Sequence, residues 1–214
     1  MIKIEHTEVF GWDAAIRGMR NPKNSWDRSD SVMCGQYAPE IGPNDADLMR
    51  RLCNGGPVHA KFRRMITVYA DITCHHTWWA EFDTYKVGTV RNSCSKMHKI
   101  HVKEFVPEDF SFEGIEECGG RTTEVFIAVV NELERLRRLF NETQDRKYWR
   151  AIIELLPMGF NLKATVELNY EVLANIYRWR RGHKLFEWHR FCEWIKSLPY
   201  SWIITGEEND NGET

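Results

Sequence analysis

Apolar residues along this chain follow two periods, short alternating runs and longer repeats of three to four residues, which separate strands from helices. Ile2 to Phe10 alternates weakly and predicts a first strand, and Trp12 to Met19 predicts a short amphipathic helix. From Asn21 to Pro43 the chain carries Pro, Gly, Ser and Asp without any period, the pattern of a long functional or mobile loop. Asn44 is placed to cap a helix through Arg51, with Asp45 and Asp47 in its first turn, where carboxylates favour the macrodipole, and Gly55 and Gly56 at its end. Met65 to Ile72 is β-branched and aromatic, as a half-buried strand requires. His75 to Tyr85 predicts an aromatic-rich helix, and Lys99 to Val106 alternates and reads as a strand ended by Pro107.

The longest predicted helix runs from Thr122 to Thr143. Val125, Phe126, Val129, Val130, Leu133, Leu136 and Phe140 recur along it to build one apolar stripe, and Glu134 and Arg138 stand one turn apart on its wet side. Tyr148 to Leu156 predicts a helix ended by Pro157, and Asn161 to Leu168 reads as extended. Asn169 is a cap for a helix to Arg181, and Lys184 to Leu198 forms the last helix. The elements do not alternate regularly, and no glycine-rich fingerprint joins a strand to a helix, which excludes Rossmann and P-loop domains. The expected class is α+β, with long helices packed on a mainly antiparallel sheet. One domain over residues 1–205 is expected, with 206–214 as an acidic flexible tail too poor in apolar residues to fold.

Composition narrows the partners. The net charge of −2 gives no global attraction for a polyanion, so nucleic acid is not expected. No apolar run approaches the roughly 20 residues of a membrane span, and Met1 to His6 lacks the apolar core of a secretion signal, so a cytoplasmic protein without membrane partners is expected. The six cysteines are scattered without a C-x-x-C pair, which suggests reduced, mostly buried thiols and no metal. His75 and His76 are adjacent and point apart, and His98 and His101 fall on opposite faces of the expected strand. Trp78, Trp79 and Trp188 are expected in a core or interface. Arg178 and Arg181 read as a solvated helix end.

Two segments carry candidate chemistry. His59 to His98 holds a histidine, a strand, a helix and then a polar run, and in this order it resembles the flavin-dependent thymidylate synthases. Their pattern Q-x-x-R-H-R-x-x-S-x-N-E-x-S-x-R-Y, laid on without a gap, starts at Glu81. It places Thr84, Tyr85 and Lys86 on its Arg-His-Arg, Arg91 and Asn92 on its Asn-Glu, Cys94 on its later Ser, and Lys96 on its last Arg. The second segment, Pro157 to Phe191, agrees better. Leu156 and Pro157, Asn169, Asn175, Trp179 with Arg180, and His183 with Glu187 and Trp188 follow the family's order, and one offset serves both segments up to Arg180.

The resemblance implies a homotetramer with active sites where subunits meet, binding FAD, dUMP and a folate, with methylenetetrahydrofolate as carbon donor and NADPH as reductant. It implies that His59, Thr84, Tyr85, Lys86, Asn169 and Asn175 hold the flavin. Glu81, Asn92, Cys94, Lys96, Arg150 and Arg180 would hold the nucleotide, with Arg180 at the uracil edge as the catalytic group. Arg150 enters because the family's arginine near the helix-ending proline is Ile153 here, one turn further on. Arg64 and Glu171 stand at two family positions of opposite charge with their signs exchanged, which suggests an ion pair across the site. The sequence leaves two functions open. One is a transferase methylating dUMP or a related deoxyuridine nucleotide. The other is a non-catalytic nucleotide-binding or structural homologue whose flavin site has degenerated.

Overall fold

A computed structural model describes residues 1–35 and 38–207. In chain order it contains β1 (Lys3–Phe10), α1 (Trp12–Arg20), α2 (Pro43–Asn54), β2 (Thr67–His75), α3 (His76–Phe82), β3 (Val90–Ser93) and α4 (Lys96–Lys99). There follow α5 (Glu113–Cys118), α6 (Gly120–Thr143), α7 (Arg146–Leu155), β4 (Asn161–Asn169), α8 (Tyr170–Arg180), α9 (Phe186–Lys196) and α10 (Trp202–Thr205). The four strands form one sheet in the order β1-β2-β4-β3, and the class is mixed helix and antiparallel sheet. No described helix is long and apolar enough to cross a membrane. Of the expected acidic tail, residues 208–214 lie outside the described residues, while Glu207 accepts a hydrogen bond from the Tyr177 hydroxyl at 2.9 Å.

By contact the chain divides into two compact units, and all four strands pass from one to the other. The first takes Met1–Lys3, Ile72–Asp83 and Asn92–Ala164. Its core sets Phe126, Val130, Leu133 and Leu136 of α6 against Ile152 of α7 and against Ile100, Phe105 and Phe110. Each such side chain contributes about 1.5–3 kcal/mol by leaving water. The buried stripe of α6 is narrower than its sequence suggests, since Val125 is 54% exposed. Trp78, Trp79 and Phe82 pack ring on ring, and the Trp79 indole N–H donates to the Leu162 carbonyl at 3.0 Å.

The expected strand over Lys99–Val106 does not form. The Ser95 hydroxyl caps α4 at the His98 amide, and side chains of α6 then take the backbone groups a strand ladder would need. Asn141 and Arg137 donate to the His101 carbonyl, and the Phe105 amide donates to Glu134 at 3.1 Å. His98 and His101 consequently line one cleft with Phe140 and Trp149, instead of facing opposite ways. The strand beside β4 is Val90–Ser93, whose polar composition gives no periodic signal.

Glu134 therefore anchors both a helix and a loop. The Arg137 hydrogen bond holds its carboxyl down to about 2, with Arg138 and the Phe105 amide adding to that and burial opposing it. A depressed folded value stabilises the fold above the ordinary carboxylate range and is lost as pH falls toward about 2. Glu134→Gln is expected to cost on the order of 1–2 kcal/mol at about pH 7. Urea midpoints of variant and parent should converge only as pH falls to about 2.

The second unit takes Ile4–Asp71, Thr84–Arg91 and the chain from Thr165. Alternation builds β4, with Val166 and Leu168 buried, and Asn169 ends it by capping α8 through its side-chain oxygen at the Glu171 and Val172 amides. Trp12 packs edge-on against Tyr170 and Tyr200, and Tyr170 donates to the Pro199 carbonyl.

Helix α2 begins two residues earlier than expected. Gly42 is its cap with Pro43 next, and Asn44 lies inside the first turn, where the Asp30 carboxylate accepts from the Asn44 and Asp45 amides at 2.8 and 3.0 Å. The segment from Asn21 to Pro43 is ordered by polar contacts where it is described. Two 3₁₀ turns and an antiparallel bridge between Val32 and Glu40 shape it, while its Gln36 and Tyr37 lie outside the described residues.

Helix α3 ends at Phe82 instead of Tyr85, and it begins after His75, whose ring accepts from the Trp78 amide. Of the cysteines only Cys74 and Cys192 are buried, and Cys94 and Cys118 are exposed, against the expectation of mostly buried thiols.

Candidate functional site

Helix α8 builds one wall of a cavity of about 330 Å³ in the second unit. Glu171, Ala174, Asn175 and Arg178 recur at helical spacing on the face that lines it, and small Ala174 leaves room between the polar groups. Opposite stand Arg63 and Arg64 from a 3₁₀ turn over Lys61–Met65, together with Val87 and Gly88. Asn169 and Asn175, two of the expected flavin contacts, thus share a cavity. Because the Asn169 carbonyl oxygen is committed to the helix cap, its amide N–H₂ is the part left to meet a ligand, as a donor only.

The floor of this cavity is an ion pair that the sequence did not assign. Glu171 pairs with Arg63 at 3.5 Å, not with Arg64, and both side chains are largely buried, at 17% and 9% exposure. Arg63 Nε and Glu171 Oε2 are buried with no hydrogen-bond partner. Unmatched buried polar atoms are costly in a folded chain. Cavities of 300 Å³ and upward hold small ligands, and this one accommodates a ring system with part of a chain, not a whole dinucleotide.

Gly88 fixes the mouth of the cavity. Its φ is +76°, and a Cβ built there would lie 2.7 Å from Asn169 Nδ2, an amide that cannot yield without breaking the cap. Gly88→Ala is expected to cost about 1–3 kcal/mol in thermal denaturation, through strain and loss of capping, and to weaken ligand binding at the same time.

Arg180, from the last turn of α8, is held between two rings. Its Nε donates to the Tyr85 hydroxyl at 2.8 Å, and its guanidinium lies 4.6 Å from the Trp188 ring centre and 5.5 Å from that of Tyr85. The structure therefore joins Tyr85 and Arg180, expected from separate segments of the sequence, into one positioned cation. Thr84 and Lys86 flank Tyr85 and are exposed. His59 is exposed in the turn after α2, packed against Gly55. None of these last three lines the α8 cavity.

The remaining expected residues belong to the first unit. Lys96 Nζ lies 2.7 Å from His76 Nε2, and the His76 ring stacks over Phe160. The ammonium must donate there, which gives the imidazole a neutral acceptor nitrogen. Cys94 donates its backbone N–H to the Lys163 carbonyl at 3.0 Å, and its thiol is exposed, as is Asn92. Glu81 is half-buried on α3. Arg150 is exposed and pairs with Glu154 of its own helix at 2.7 Å, a solvated i,i+4 pair.

Sequence reasoning missed Arg63 and Arg178. Arg178 had read as solvated because basic residues in a last helical turn are common, but its spacing of seven from Glu171 was the available signal. No group of His, Cys, Asp and Glu suited to a metal ion occurs among the described residues. A larger opening of about 450 Å³ lies between β1 and the end of α9, lined by Thr7, Phe10 and Trp194; among the described residues Glu8 is its only ionisable group, and none of the expected residues lines it.

No protein-family model matches the chain, and no curated protein matches it. Solved structures do. A flavin-dependent thymidylate synthase ThyX from Helicobacter pylori, crystallised with FAD and dUMP, superposes with a TM-score of 0.67 at 17% identity, covering 96% of this chain and 98% of that one. A second structure of ThyX from the same organism, also with FAD and dUMP, gives a TM-score of 0.66 at 18% identity over 96% and 97% of the two chains. The likeness shows a shared fold across nearly the whole chain.

Proposed function

We propose that this chain is a divergent flavin-dependent thymidylate synthase-like transferase that methylates dUMP or a related deoxyuridine nucleotide. The observation that carries this reading is the α8 cavity with Asn169 and Asn175 on one wall, in a chain whose fold follows that of structures holding FAD and dUMP. FAD, when bound and reduced, would supply the hydride, with methylenetetrahydrofolate as carbon donor and NADPH as reductant. The amide donor on Asn169 and the exposed amide of Asn175 fit the polar edge of such a ring.

The chain's own work is binding and electrostatics. Arg180, clamped by Tyr85 and Trp188, presents a planar cation that favours negative charge on a pyrimidine edge without having to reorganise. Lys96, beside His76 in the first unit, would meet a phosphate as a point charge and not a fork. The α8 cavity is too small for all of FAD, which agrees with a homotetramer whose neighbouring subunits complete each site.

A second reading, a non-catalytic nucleotide-binding homologue, draws on Thr84 and Lys86 standing where the family's flavin-binding arginines would be. Visible absorbance separates the two. Purified protein mixed with FAD and desalted is expected to retain flavin near one equivalent per chain. Protein that emerges colourless leaves the transferase reading without its cofactor.

A further inference from the structure

The cleft that His98 and His101 share lies wholly within the first unit and takes no part in the reading above. It encloses about 380 Å³, enough for a small ring system. Phe140 from the last turn of α6 and Trp149 from α7 are half-buried and give it aromatic walls, and exposed Met97 adds a thioether edge. The frame is preformed, because Arg137 and Asn141 of α6 hold the His101 carbonyl and the Asp145 side chain caps α7. The His101 ring stands edge-on to Phe140 at 5.0 Å with its Nδ1 buried, so it serves as part of the wall.

Charge in this cleft is one-sided. Arg146, the first residue of α7, is the one lysine or arginine among its described lining residues, and no carboxylate is among them. The cations around it are each paired with a carboxylate: Arg135 with Glu132, Arg137 and Arg138 with Glu134, Lys147 with Asp145, and Arg150 with Glu154. Arg146 is exposed and has no ion-pair partner among the described residues. Asp145, next to it in the chain, is committed to the Lys147 amide and ammonium and lies outside the lining.

We propose that this cleft is a second ligand site, for a small planar aromatic carboxylate, with the ring against Phe140 and Trp149 and the carboxylate on Arg146. A guanidinium meets a carboxylate as a planar fork with two parallel charge-assisted hydrogen bonds, and a single cation matches a monoanion. A bound ring covers the apolar surface that Phe140, Trp149 and Met97 otherwise leave to water. The transferase reading neither requires this site nor falls with it.

Isothermal titration calorimetry with 2-naphthoate and its uncharged isostere 2-naphthamide isolates the carboxylate. The unmodified protein is expected to bind 2-naphthoate at least about 10-fold tighter than 2-naphthamide, the size of one charge-assisted contact. Arg146→Ala is expected to bring the two within about 2-fold by weakening 2-naphthoate alone, and Arg146→Glu to reverse the preference. Lys147→Ala removes the same charge from the neighbouring position, outside the lining, and should leave the ratio unchanged. Trp149→Leu should weaken both ligands about 5-fold with the ratio kept, as loss of one aromatic wall requires. Arg146 is exposed, and circular dichroism would verify that each variant is folded. A parent that gives no saturable heat with millimolar 2-naphthoate or binds acid and amide equally overturns the proposal. So does a ratio that survives Arg146→Ala or collapses equally in Lys147→Ala, and so does an affinity indifferent to Trp149→Leu in folded protein.

Discussion

Asp45→Ala is expected to cost about 3–5 kcal/mol of folding stability, enough to lower Tm by roughly 10 °C in a chain of this size. Asp45 is wholly buried, and Arg20, which donates to its Oδ1 through Nε at 2.7 Å and places Nη2 2.6 Å from the same oxygen as an ion pair, is 4% exposed. The second carboxylate oxygen accepts from the Ser29 and Ser31 hydroxyls and from the Asp30 and Ser31 amides. Removing the carboxylate leaves a buried guanidinium and four donors without their acceptor, and that penalty exceeds anything the pair contributes when intact. Burial pushes the Asp45 carboxyl up, but the bonds from Ser31, Ser29, Arg20 and Asp30 outweigh it and hold it below the ordinary carboxylate range. Its contribution is present above that range and is lost as pH falls through the lowered value. Denaturation of Asp45→Ala and Asp45→Asn against the parent at neutral pH measures the effect. Losses under about 1 kcal/mol would show that the segment from Asn21 to Pro43 is not pinned by this carboxylate.

Arg180→Ala carries the largest expected effect on turnover, about 100-fold or more in kcat/KM toward dUMP. A preorganised donor to developing charge gives that order of loss when it is removed. Lysine at this position should recover little, since the Tyr85 bond uses Nε and the exchange replaces a planar fork by a point charge. Stability should fall by about 1–3 kcal/mol, since the Tyr85 hydrogen bond and the contact with Trp188 are both lost. Steady-state rates together with thermal melts separate the two. A rate loss below about 5-fold in a folded variant would remove Arg180 from the chemistry.

Much of the fold was legible in the sequence where one face of an element is buried. Phe126, Val130, Leu133 and Leu136 on α6, and Val166 and Leu168 on β4, follow their periods because burial selects them. Asn169 announced the start of α8 by its position after an alternating run. The misreadings fall where side chains from distant positions replace regular backbone pairing. Lys99–Val106 looked like a strand, yet Asn141, Arg137 and Glu134 of α6 take its backbone groups. Asn44 looked like a cap, but Asp30, fourteen residues earlier, serves the first turn of α2.

The candidate site was legible in part for the same reason. Asn169 caps a helix whose spacing sets Glu171, Asn175 and Arg178 on one face, while Arg180, five residues after Asn175, falls on another. The pairing of Glu171 with Arg63 instead of Arg64 depends on the 3₁₀ turn over Lys61–Met65, and such a turn has no amphipathic signature. Arg150, chosen for reach along its helix, instead pairs with Glu154.

The central claim is that this chain transfers a one-carbon unit to a deoxyuridine nucleotide. Release of tritium from dUMP labelled at the ring carbon that receives the methyl group tests it most directly. With FAD, NADPH and methylenetetrahydrofolate present, the account predicts steady release that depends on all three and falls about 100-fold in Arg180→Ala. Protein that binds both FAD and dUMP yet releases no tritium would contradict it.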